Sequence, residues 1–307
     1  MSKQILPYTE LSVATAMAGS SIVAGKLLAN TFPVFLSQGV SLIAALAVLF
    51  PASFRSRRKI SSISKKDYLF MFLQALAGMF LFRVFMLYGL KKTTAVESGI
   101  ITSFTPAALA LLSFIFLKEK INCIKLTGIS MSVMGVLIIN VMEAGKSASS
   151  GDYSLYGNIM IFLAVICEAL LTIFRKGNSK DITPIVCTYY VTLFSFILFL
   201  PVSLSEGLKF DFSSVSPEQW LYIVYYGVVV TAIAYILWFC GVSKVSAGTA
   251  AVYTSFMPIS AVILSCTVLR EAFTAFHAAG VSLSIAGMLL ITFKRDNKKA
   301  FMKNQPE

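Results

Sequence analysis

Long apolar runs alternate with short polar breaks along almost the whole chain. Because about 20 apolar residues cross a bilayer as an α-helix, this pattern predicts ten transmembrane helices. They are expected at Thr9–Leu28, Pro33–Phe54, Asp67–Leu90, Ala95–Leu117, Ile124–Met142, Leu155–Phe174, Pro184–Val202, Glu218–Cys240, Ala247–Leu269 and Ala272–Phe293. The predicted fold class is therefore an all-α integral membrane protein with ten helices.

The composition supports a membrane protein, since 57% of the residues are hydrophobic and only 13% are charged. A soluble domain carries roughly 25% charged residues. The net charge of +12 does not indicate nucleic acid here, because basic residues in membrane proteins first report topology. The five cysteines form no CxxC motif, and His277 is the only histidine. We therefore expect neither a metal site nor a cofactor.

The Lys and Arg residues are distributed unequally between the two sides of the predicted bundle. With the N-terminus inside, 19 of them fall on the inner side and 6 on the outer side, while Arg83 lies within a helix. Because cytoplasmic loops carry the excess of basic residues, both termini are expected in the cytoplasm, with the protein in the plasma membrane. A basic cluster at Arg55–Lys59 could also contact anionic membrane lipid.

The second half of the chain repeats the first. With a shift of 152 residues, residues 89–139 align without a gap to residues 241–291, and 17 of these 51 positions are identical. Residues 1–143 and 155–294 are expected to form the two repeats, followed by a basic cytoplasmic tail at 295–307. Five helices per copy is an odd number, so the second copy must enter the membrane from the opposite face. Inverted repeats are typical of secondary transporters, whose substrate site lies between the copies.

The repeated residues resemble a known family. They read Ala95…Pro106…Leu117-Lys118-Glu119…Gly128…Gly135 in the first copy and Ala247…Pro258…Leu269-Arg270-Glu271…Gly280…Gly287 in the second. This pattern is similar to the EamA family of the drug/metabolite transporter superfamily. The resemblance implies a ten-helix bundle that moves small metabolites, often outward, by alternating access. The chain departs from the family pattern at Glu168, where an aromatic residue is usual.

The prolines Pro106 and Pro258 are expected in the middle of helices 4 and 9. Each removes one backbone hydrogen bond and frees the carbonyl four residues earlier, at Thr102 and Thr254. One interpretation is a kinked, polar-lined hinge in each copy that faces a central cavity. The alternative is a tolerated bend that its own threonine stabilises.

Arg83 is expected to face the interior, because burying an arginine in a membrane costs about 2.5–3.5 kcal/mol on insertion scales. It could bind the carboxylate or phosphate of a substrate, or it could pair with Glu97 to close an outer gate. Glu168 is the other deep charge, and a lone carboxylate in this setting can stay neutral until something binds. It is expected to bind a coupling proton or a substrate amine, unless it only makes a helix–helix hydrogen bond. Together, Arg83 and Glu168 would suit a zwitterion such as an amino acid.

Three aromatic residues are expected in the cavity wall, namely Tyr235, Trp238 and Tyr253. Other residues are expected to serve structure only. Arg175 should extend to the headgroup region or guard the inner entrance, and Glu119 should stabilise the N-terminus of helix 5. The paired glycines of helices 5 and 10 should permit close packing, with a homodimer contact through these helices as an option.

The expected function is a secondary transporter that exports amino acids or related amphiphilic compounds by alternating access. No GxxxxGK[ST] motif for ATP occurs, so the energy must come from a gradient, such as one of protons, or from the solute itself. One alternative is an importer or exchanger of carboxylated or phosphorylated solutes. Another, of a different class, is a membrane-embedded enzyme that modifies lipids, although the sequence offers no cluster of carboxylates or histidines for it. No catalytic residue is expected.

Overall fold

The computed structural model describes residues 5–29, 32–57, 63–90, 92, 101–144, 155–268 and 274–303. Ten helices, four of which are divided or begin after a break, can be counted within these ranges, and no strand occurs there. In the first half they are α1 (Leu6–Ala29), α2 (Val34–Arg57), α3 (Lys65–Leu73, Gln74–Leu81 and Phe82–Leu90), α4 (Thr105–Leu117) and α5 (Cys123–Ala144). In the second half they are α6 (Leu155–Gly177), α7 (Pro184–Gly207), α8 (Pro217–Tyr225, Tyr226–Ile233 and Ala234–Lys244), α9 (Ala247–Tyr253 and Phe256–Val268) and α10 (Ala275–Lys303).

The prediction of an all-helical membrane protein with ten helices is confirmed. Five of the helices are long and apolar enough to cross a bilayer, and three shorter apolar helices accompany them among the described residues. One difference in boundaries is at the C-terminal end, where α10 continues to Lys303 instead of ending near Phe293. The added segment contains neither Gly nor Pro, and its Lys, Ala and Met residues favour helix.

Helices α3 and α8 each contain a segment of π-helix. The segments are Gln74–Leu81 in α3 and Tyr226–Ile233 in α8, which are related by the same shift of 152 residues as the sequence repeat. Each segment ends with a backbone bond that spans five residues, from Phe82 to Ala77 and from Ala234 to Val229. Single wide turns of this kind are rare and occur frequently at functional sites. Both segments border the central cavity: Gly78 and Tyr226 within them line its wall, and so do Arg83 and Tyr235, which follow two residues after the segments end.

The two prolines lie at helix starts, which corrects their expected place in the middle of a helix. Residues 103–104 interrupt the helical path before α4, so Pro106 is the second residue of that helix. Residues 254–255 divide α9 in the same way, and Pro258 is the third residue of the segment that follows. Proline is tolerated in the first turn because the N–H there has no helical acceptor. The expected kink is thus a complete break in each copy.

Contacts between the helices follow a twofold relation between the two halves. The pairs α2 with α7, α4 with α9, and α5 with α10 each join equivalent helices of the two copies. In addition, α1 packs on α8 and α9, while its equivalent α6 packs on α3 and α4. The first helix of each half is therefore surrounded by helices of the other half, and the space between α1, α3, α6 and α8 is built from both copies.

The paired glycines of α5 and α10 contact each other within one chain. A Cβ atom on Gly135 would lie 2.6 Å from the carbonyl oxygen of Gly280, and one on Gly287 would lie 2.7 Å from the carbonyl oxygen of Gly128. Only residues without a side chain let two helix backbones approach this closely. Their expected role in close packing agrees with this geometry, in which the glycine faces are covered by each other.

Glu119 stabilises a different helix from the one expected. Its two carboxylate oxygens accept hydrogen bonds from the backbone N–H groups of Ala247 (2.8 Å) and Gly248 (3.1 Å), at the start of α9. Lys125 lies 4.0 Å from the same carboxylate. The sequence placed Glu119 near the N-terminus of α5, but the end of α4 and the start of α9 meet across the twofold relation. The positive end of a helix dipole attracts a carboxylate in either case.

We expect Glu119→Gln to destabilise the protein by about 1.5–3 kcal/mol, the range for hydrogen bonds to charged groups. The amide cannot accept two N–H bonds as a carboxylate does, because one of its two positions is a donor. Thermal unfolding of the detergent-purified protein measures the effect. Exposed Glu218→Gln is the control, and an equal unfolding temperature for Glu119→Gln and the wild type would contradict the assigned role.

Further contacts join the helix ends at the same face of the bundle as Glu119. Glu10 of α1 pairs with Lys244 of α8 at 2.5 Å. Asp67 of α3 accepts a hydrogen bond from the backbone N–H of Ser179 at 2.7 Å, in the loop after α6. These contacts link helices of both copies and close this end of the bundle.

Candidate functional site

A cavity of about 350 Å³ lies between the two halves of the chain. This volume falls within the roughly 300–1,000 Å³ of typical small-molecule sites. Helices α1 to α4 and α6 to α9 all contribute to its wall. The wall extends to Val34 at the start of α2 and does not include the first-turn residues at the closed face. The cavity is therefore displaced towards the end of the bundle opposite Glu10 and Lys244.

Arg83 lies in the cavity wall, immediately after the π segment of α3. Its guanidinium carbon is 5.5 Å from the centre of the Tyr226 ring, which belongs to the π segment of α8. A cation held over an aromatic face gains about 0.5–2 kcal/mol. The ion pairs found among the described residues do not include Arg83. Its expected partner Glu97 lies outside the described residues.

Glu168 also lies in the cavity wall, on α6, beside the break that precedes α4. Its Oε2 atom is 3.2 Å from Oγ1 of Thr105. The same Thr105 hydroxyl is 2.9 Å from the carbonyl oxygen of Thr102, four residues before Pro106, whose ring nitrogen carries no hydrogen to donate. The carboxyl group of one copy is thus in contact with the helix break of the other.

Trp238 and Tyr235 of α8 line the cavity. The indole N–H of Trp238 donates a hydrogen bond to Oγ1 of Thr172 at 3.3 Å, one helical turn after Glu168. This bond fixes the orientation of the large ring while its apolar face remains available to the cavity. Tyr235 is the equivalent of Arg83 in the second copy, and it packs edge-on against Phe239, with ring centres 5.9 Å apart.

The structure brings only some of the predicted site residues together. Arg83, Glu168, Tyr235, Trp238 and Thr254 share the cavity wall. The lining does not include Tyr253, Thr102, Pro106 or Pro258. Tyr253 packs in the core against the Tyr8 ring, with centroids 5.9 Å apart, because it lies on the shorter segment before the break in α9.

Three further residues complete the site, namely Thr105, Tyr226 and Thr172, and sequence reasoning did not select them. Thr105 had a detectable signal, because a threonine three residues after a carbonyl freed by proline can donate to it. Tyr226 had a weaker one, since it is one of several tyrosines on α8. Thr172 depends on the packing of α6 against α8, which the sequence does not specify.

Arg175 is a correction to the expectation from sequence. Only 6% of it is exposed, so it does not extend to the headgroup region. Its Nη2 donates to the carbonyl oxygen of Ile182 at 3.3 Å, and its guanidinium carbon lies 5.6 Å from the centre of the Phe239 ring. These contacts hold the loop after α6 against α8, near the closed face of the bundle.

The cavity can bind a small solute at two charged points. Arg83 can donate to an anionic group and Glu168 can bind a proton or a cationic group, while most of the remaining wall is apolar. Among the described residues, no group of three or more His, Cys, Asp or Glu side chains could hold a metal ion. The arrangement has the features of a binding site for an amphiphilic molecule.

Comparison with known proteins agrees with this architecture. Two stretches of the chain, residues 10–141 and 155–293, each match the model of the EamA-like transporter family. This chain belongs to the EamA-like transporter family. It is thus a membrane protein with a transporter's fold, and its two matched stretches correspond to the two halves described above.

Two bacterial relatives that match over almost their full length carry names of transporters, and a plant relative matches over part of its length. "Uncharacterized transporter YetK" of Bacillus subtilis (strain 168) is 40% identical over 97% of this chain and 90% of its own length. "Uncharacterized transporter YoaV" of the same organism is 23% identical over 93% of this chain and 96% of its own. "WAT1-related protein At3g02690, chloroplastic" of Arabidopsis thaliana is 24% identical over 91% of this chain and 67% of its own. A general role in transport follows for this chain.

One solved crystal structure shares the fold. It superimposes with a TM-score of 0.76 over 94% of this chain and 96% of its own, at 18% sequence identity. At this identity the likeness establishes the arrangement of the helices alone.

Proposed function

We propose that this transporter exports amino acids or closely related amphiphilic metabolites across the plasma membrane, with both termini in the cytoplasm. The observation that carries the proposal is the joint presence of Arg83 and Glu168 in one cavity of about 350 Å³ between the two halves. A zwitterion presents a carboxylate and an ammonium group at a fixed short distance. The apolar remainder of the wall suits the side chain of such a solute.

Alternating access is proposed as the mechanism. The bundle is joined at one face by the Glu10–Lys244 pair and by Glu119 on α9, and the basic-residue count assigns this face to the cytoplasm. The cavity extends towards the other face, as in the outward-facing state of a two-state carrier. The second state requires these contacts to separate, and the breaks before α4 and within α9 supply positions where the helices can bend.

Proton coupling through Glu168 is the proposed source of energy. Glu168 is the only carboxyl group among the described residues of the cavity wall, so it is the group there that can carry a coupling proton. The group also shares the cavity with Arg83. A protonated carboxyl group has no negative charge with which to bind an ammonium group. At Glu168 the proton and the solute would thus exclude each other, and this mutual exclusion is what an exporter driven by inward proton flow needs.

The direct test is the counterflow and efflux of radiolabelled amino acids in proteoliposomes, with and without a pH gradient. We expect efflux that an inward proton gradient accelerates. Parallel arms with dicarboxylates and phosphorylated solutes address the alternative that Arg83 serves an importer or exchanger of anions. Transport of those solutes without transport of amino acids would replace the proposal with that alternative.

We expect Glu168→Gln to abolish the acceleration by the pH gradient, because the amide cannot exchange a proton in this range. Uniport of the solute down its own gradient should persist at a reduced rate. Glu218→Gln, which removes an exposed carboxylate at the start of α8, serves as the matched control. Gradient-driven flux that is the same in Glu168→Gln and wild type would remove Glu168 from the mechanism.

The proposed orientation has its own test. Fusion of green fluorescent protein and of alkaline phosphatase to the C-terminus distinguishes the two sides of the bacterial membrane. Fluorescence without phosphatase activity is expected, and the opposite result would reverse both the assigned orientation and the direction of the open cavity.

A further inference from the structure

Gln38 of α2 contributes an amide side chain to the wall of the central cavity. Its backbone carbonyl accepts a hydrogen bond from the Ser41 hydroxyl at 2.9 Å, but no bond to the amide group itself is found among the described residues. A primary amide offers two N–H donors and one carbonyl acceptor. Burying such groups without partners costs free energy, so a polar group in the cavity is needed to satisfy them.

The fold does not require an amide at this position. The residue equivalent to Gln38 in the second copy is Tyr190, which lies in the core and packs edge-on against the Tyr68 ring at 5.1 Å. The same place in the same helix is thus an apolar packing position in one copy and a polar cavity position in the other. This difference favours a role for Gln38 in solute binding.

Gln38 and Arg83 face the same part of the cavity. The Phe199 ring of α7 lies between their two helices, 6.0 Å from the Phe35 ring of α2 and 5.0 Å from the Phe80 ring of α3. Gln38 follows Phe35 by three residues, and Arg83 follows Phe80 by three. Each residue therefore lies about one helical turn from a ring that contacts Phe199.

Tyr226 of α8 lies next to the same two helices. The guanidinium carbon of Arg83 is 5.5 Å from the centre of its ring. The following residue, Gly227, packs on α2 so closely that a Cβ atom there would lie 2.2 Å from the carbonyl oxygen of Ser41, one turn after Gln38. A solute group that binds to Arg83 is therefore within reach of the Gln38 amide.

This part of the wall offers a single positive charge to an anionic group. Among the described wall residues the cation is Arg83, while Gln38 is neutral and Glu168 contributes no positive charge. Arg83 can balance the one negative charge of a carboxylate. A phosphate monoester carries about two negative charges at pH 8, and the second one would remain unbalanced in an apolar cavity, which is costly.

We propose that Gln38 is a specificity-determining residue that restricts the Arg83 subsite to solutes with a singly charged anionic end group. Arg83 donates to the carboxylate, and the Gln38 amide donates a neutral hydrogen bond to a remaining lone pair. Gln38 thus adds affinity without adding charge, at a position where a second cation would select dianions. The inference rests on the proposed binding of the solute at Arg83 and names its class, which is monocarboxylates, including amino acids, and not phosphate monoesters.

Trp238 allows this selectivity to be measured as binding, without transport. It lines the cavity and is one of two tryptophans in the chain, so in a Trp220→Phe background it alone gives tryptophan emission. Trp220 packs against Phe32 and Phe212 outside the cavity wall, where a phenyl ring should preserve the packing. The probes are pentanoate and butyl phosphate at pH 8, which share a butyl chain and differ in the charge of the end group.

Titration of the detergent-purified protein should show pentanoate binding about 10-fold more tightly than butyl phosphate, which corresponds to the 1.4 kcal/mol of a factor of ten. Gln38→Arg should reverse this order, because two cations then face the end group. Gln38→Met should weaken both probes by about 3- to 10-fold, the loss of one neutral hydrogen bond, and leave their order unchanged. Gln38→Glu should weaken pentanoate by more than about 10-fold, since a carboxylate there competes for Arg83.

Ser205→Arg is the matched control for the added charge. Ser205 is exposed near the end of α7 and lies outside the cavity wall, so the ratio of the two affinities should equal that of the wild type. A folded Gln38→Arg variant with the wild-type ratio would overturn the proposal, and so would a wild type that binds both probes equally or neither. If Gln38→Arg does not fold, wild-type affinity for pentanoate in both Gln38→Met and Gln38→Glu would refute it.

The binding titrations and the flux measurements can fail separately. Export of amino acids by a protein whose Gln38 variants keep the wild-type selectivity would remove Gln38 from the site and leave the proposed function in place. Conversely, the expected selectivity in a protein that moves no amino acid would retain the charge rule and reject only the proposed function.

Discussion

Arg83→Gln should lower the transport of amphiphilic anions and zwitterions by about 10- to 100-fold. The substitution keeps a polar side chain of similar length in the cavity wall but removes the positive charge. Hydrogen bonds to charged groups contribute about 1.5–3 kcal/mol, and each 1.4 kcal/mol corresponds to a factor of ten. The effect should be large because the wall contains Arg83 as its one described cation.

The measurement is the initial rate of solute flux in proteoliposomes at matched protein density. Arg83→Lys should retain part of the activity, since it keeps the charge but not the two-pronged geometry that suits a carboxylate. Lys180→Gln removes an exposed cation from the loop after α6 and should have no effect. If Arg83→Gln transports at the wild-type rate and unfolds at the wild-type temperature, Arg83 has no part in solute binding.

The second large effect is expected for Gly135→Leu, which should prevent a stable bundle from forming. Even a Cβ atom at this position would lie 2.6 Å from the carbonyl oxygen of Gly280 and 2.8 Å from the backbone N of Ser284. Both obstacles are backbone atoms, so no side-chain rotation can relieve the contact. Overpacking typically costs about 1–3 kcal/mol for added methylene groups, and here α5 and α10 must move apart along their whole contact.

Gly135→Ala should give an intermediate loss, in spite of the gain of roughly 0.5–1 kcal/mol that alanine brings to a helix. Gly248→Ala is the control, because a Cβ atom there meets its nearest neighbours at 3.7 Å. Unfolding temperature and monodispersity in detergent report the outcome. A Gly135→Leu variant as stable as the wild type would show that α5 and α10 do not pack through these glycines.

The break before α4 illustrates what could be partly predicted. Pro106 and the loss of its backbone bond to the Thr102 carbonyl followed from the sequence, as did their repetition at Pro258 and Thr254. The sequence did not distinguish a kink from a break, because that outcome depends on which neighbours support the loose ends. In the folded chain Thr105 serves this role in one copy, and the backbone N–H of Met257 serves it in the other.

The π segments illustrate what could not be predicted. Neither Gln74–Leu81 nor Tyr226–Ile233 carries a composition that differs from an ordinary apolar helix. A wide turn is costly locally, so it persists only where packing around it compensates. It shifts the angular position of the residues that follow, and Arg83 and Tyr235, each two residues after a π segment, line the cavity. The hydrophobic periodicity of the sequence does not reveal the wide turn.

The sequence alone determined that this protein is a bundle of ten membrane helices in two related halves. An apolar run of sufficient length can satisfy its backbone hydrogen bonds in lipid only as a helix. The duplication is visible because identical residues recur at a constant spacing of 152. Only the tertiary structure decided which residues share the cavity and which carboxylate meets which helix end. Glu119 on α9 and Glu168 on Thr105 join the two halves at separations of 128 and 63 residues. Trp238 on Thr172 joins α8 to α6 within the second half, at a separation of 66 residues. Contacts at any such separation depend on how helices dock, and docking is set by side-chain packing between faces that the linear order leaves unspecified.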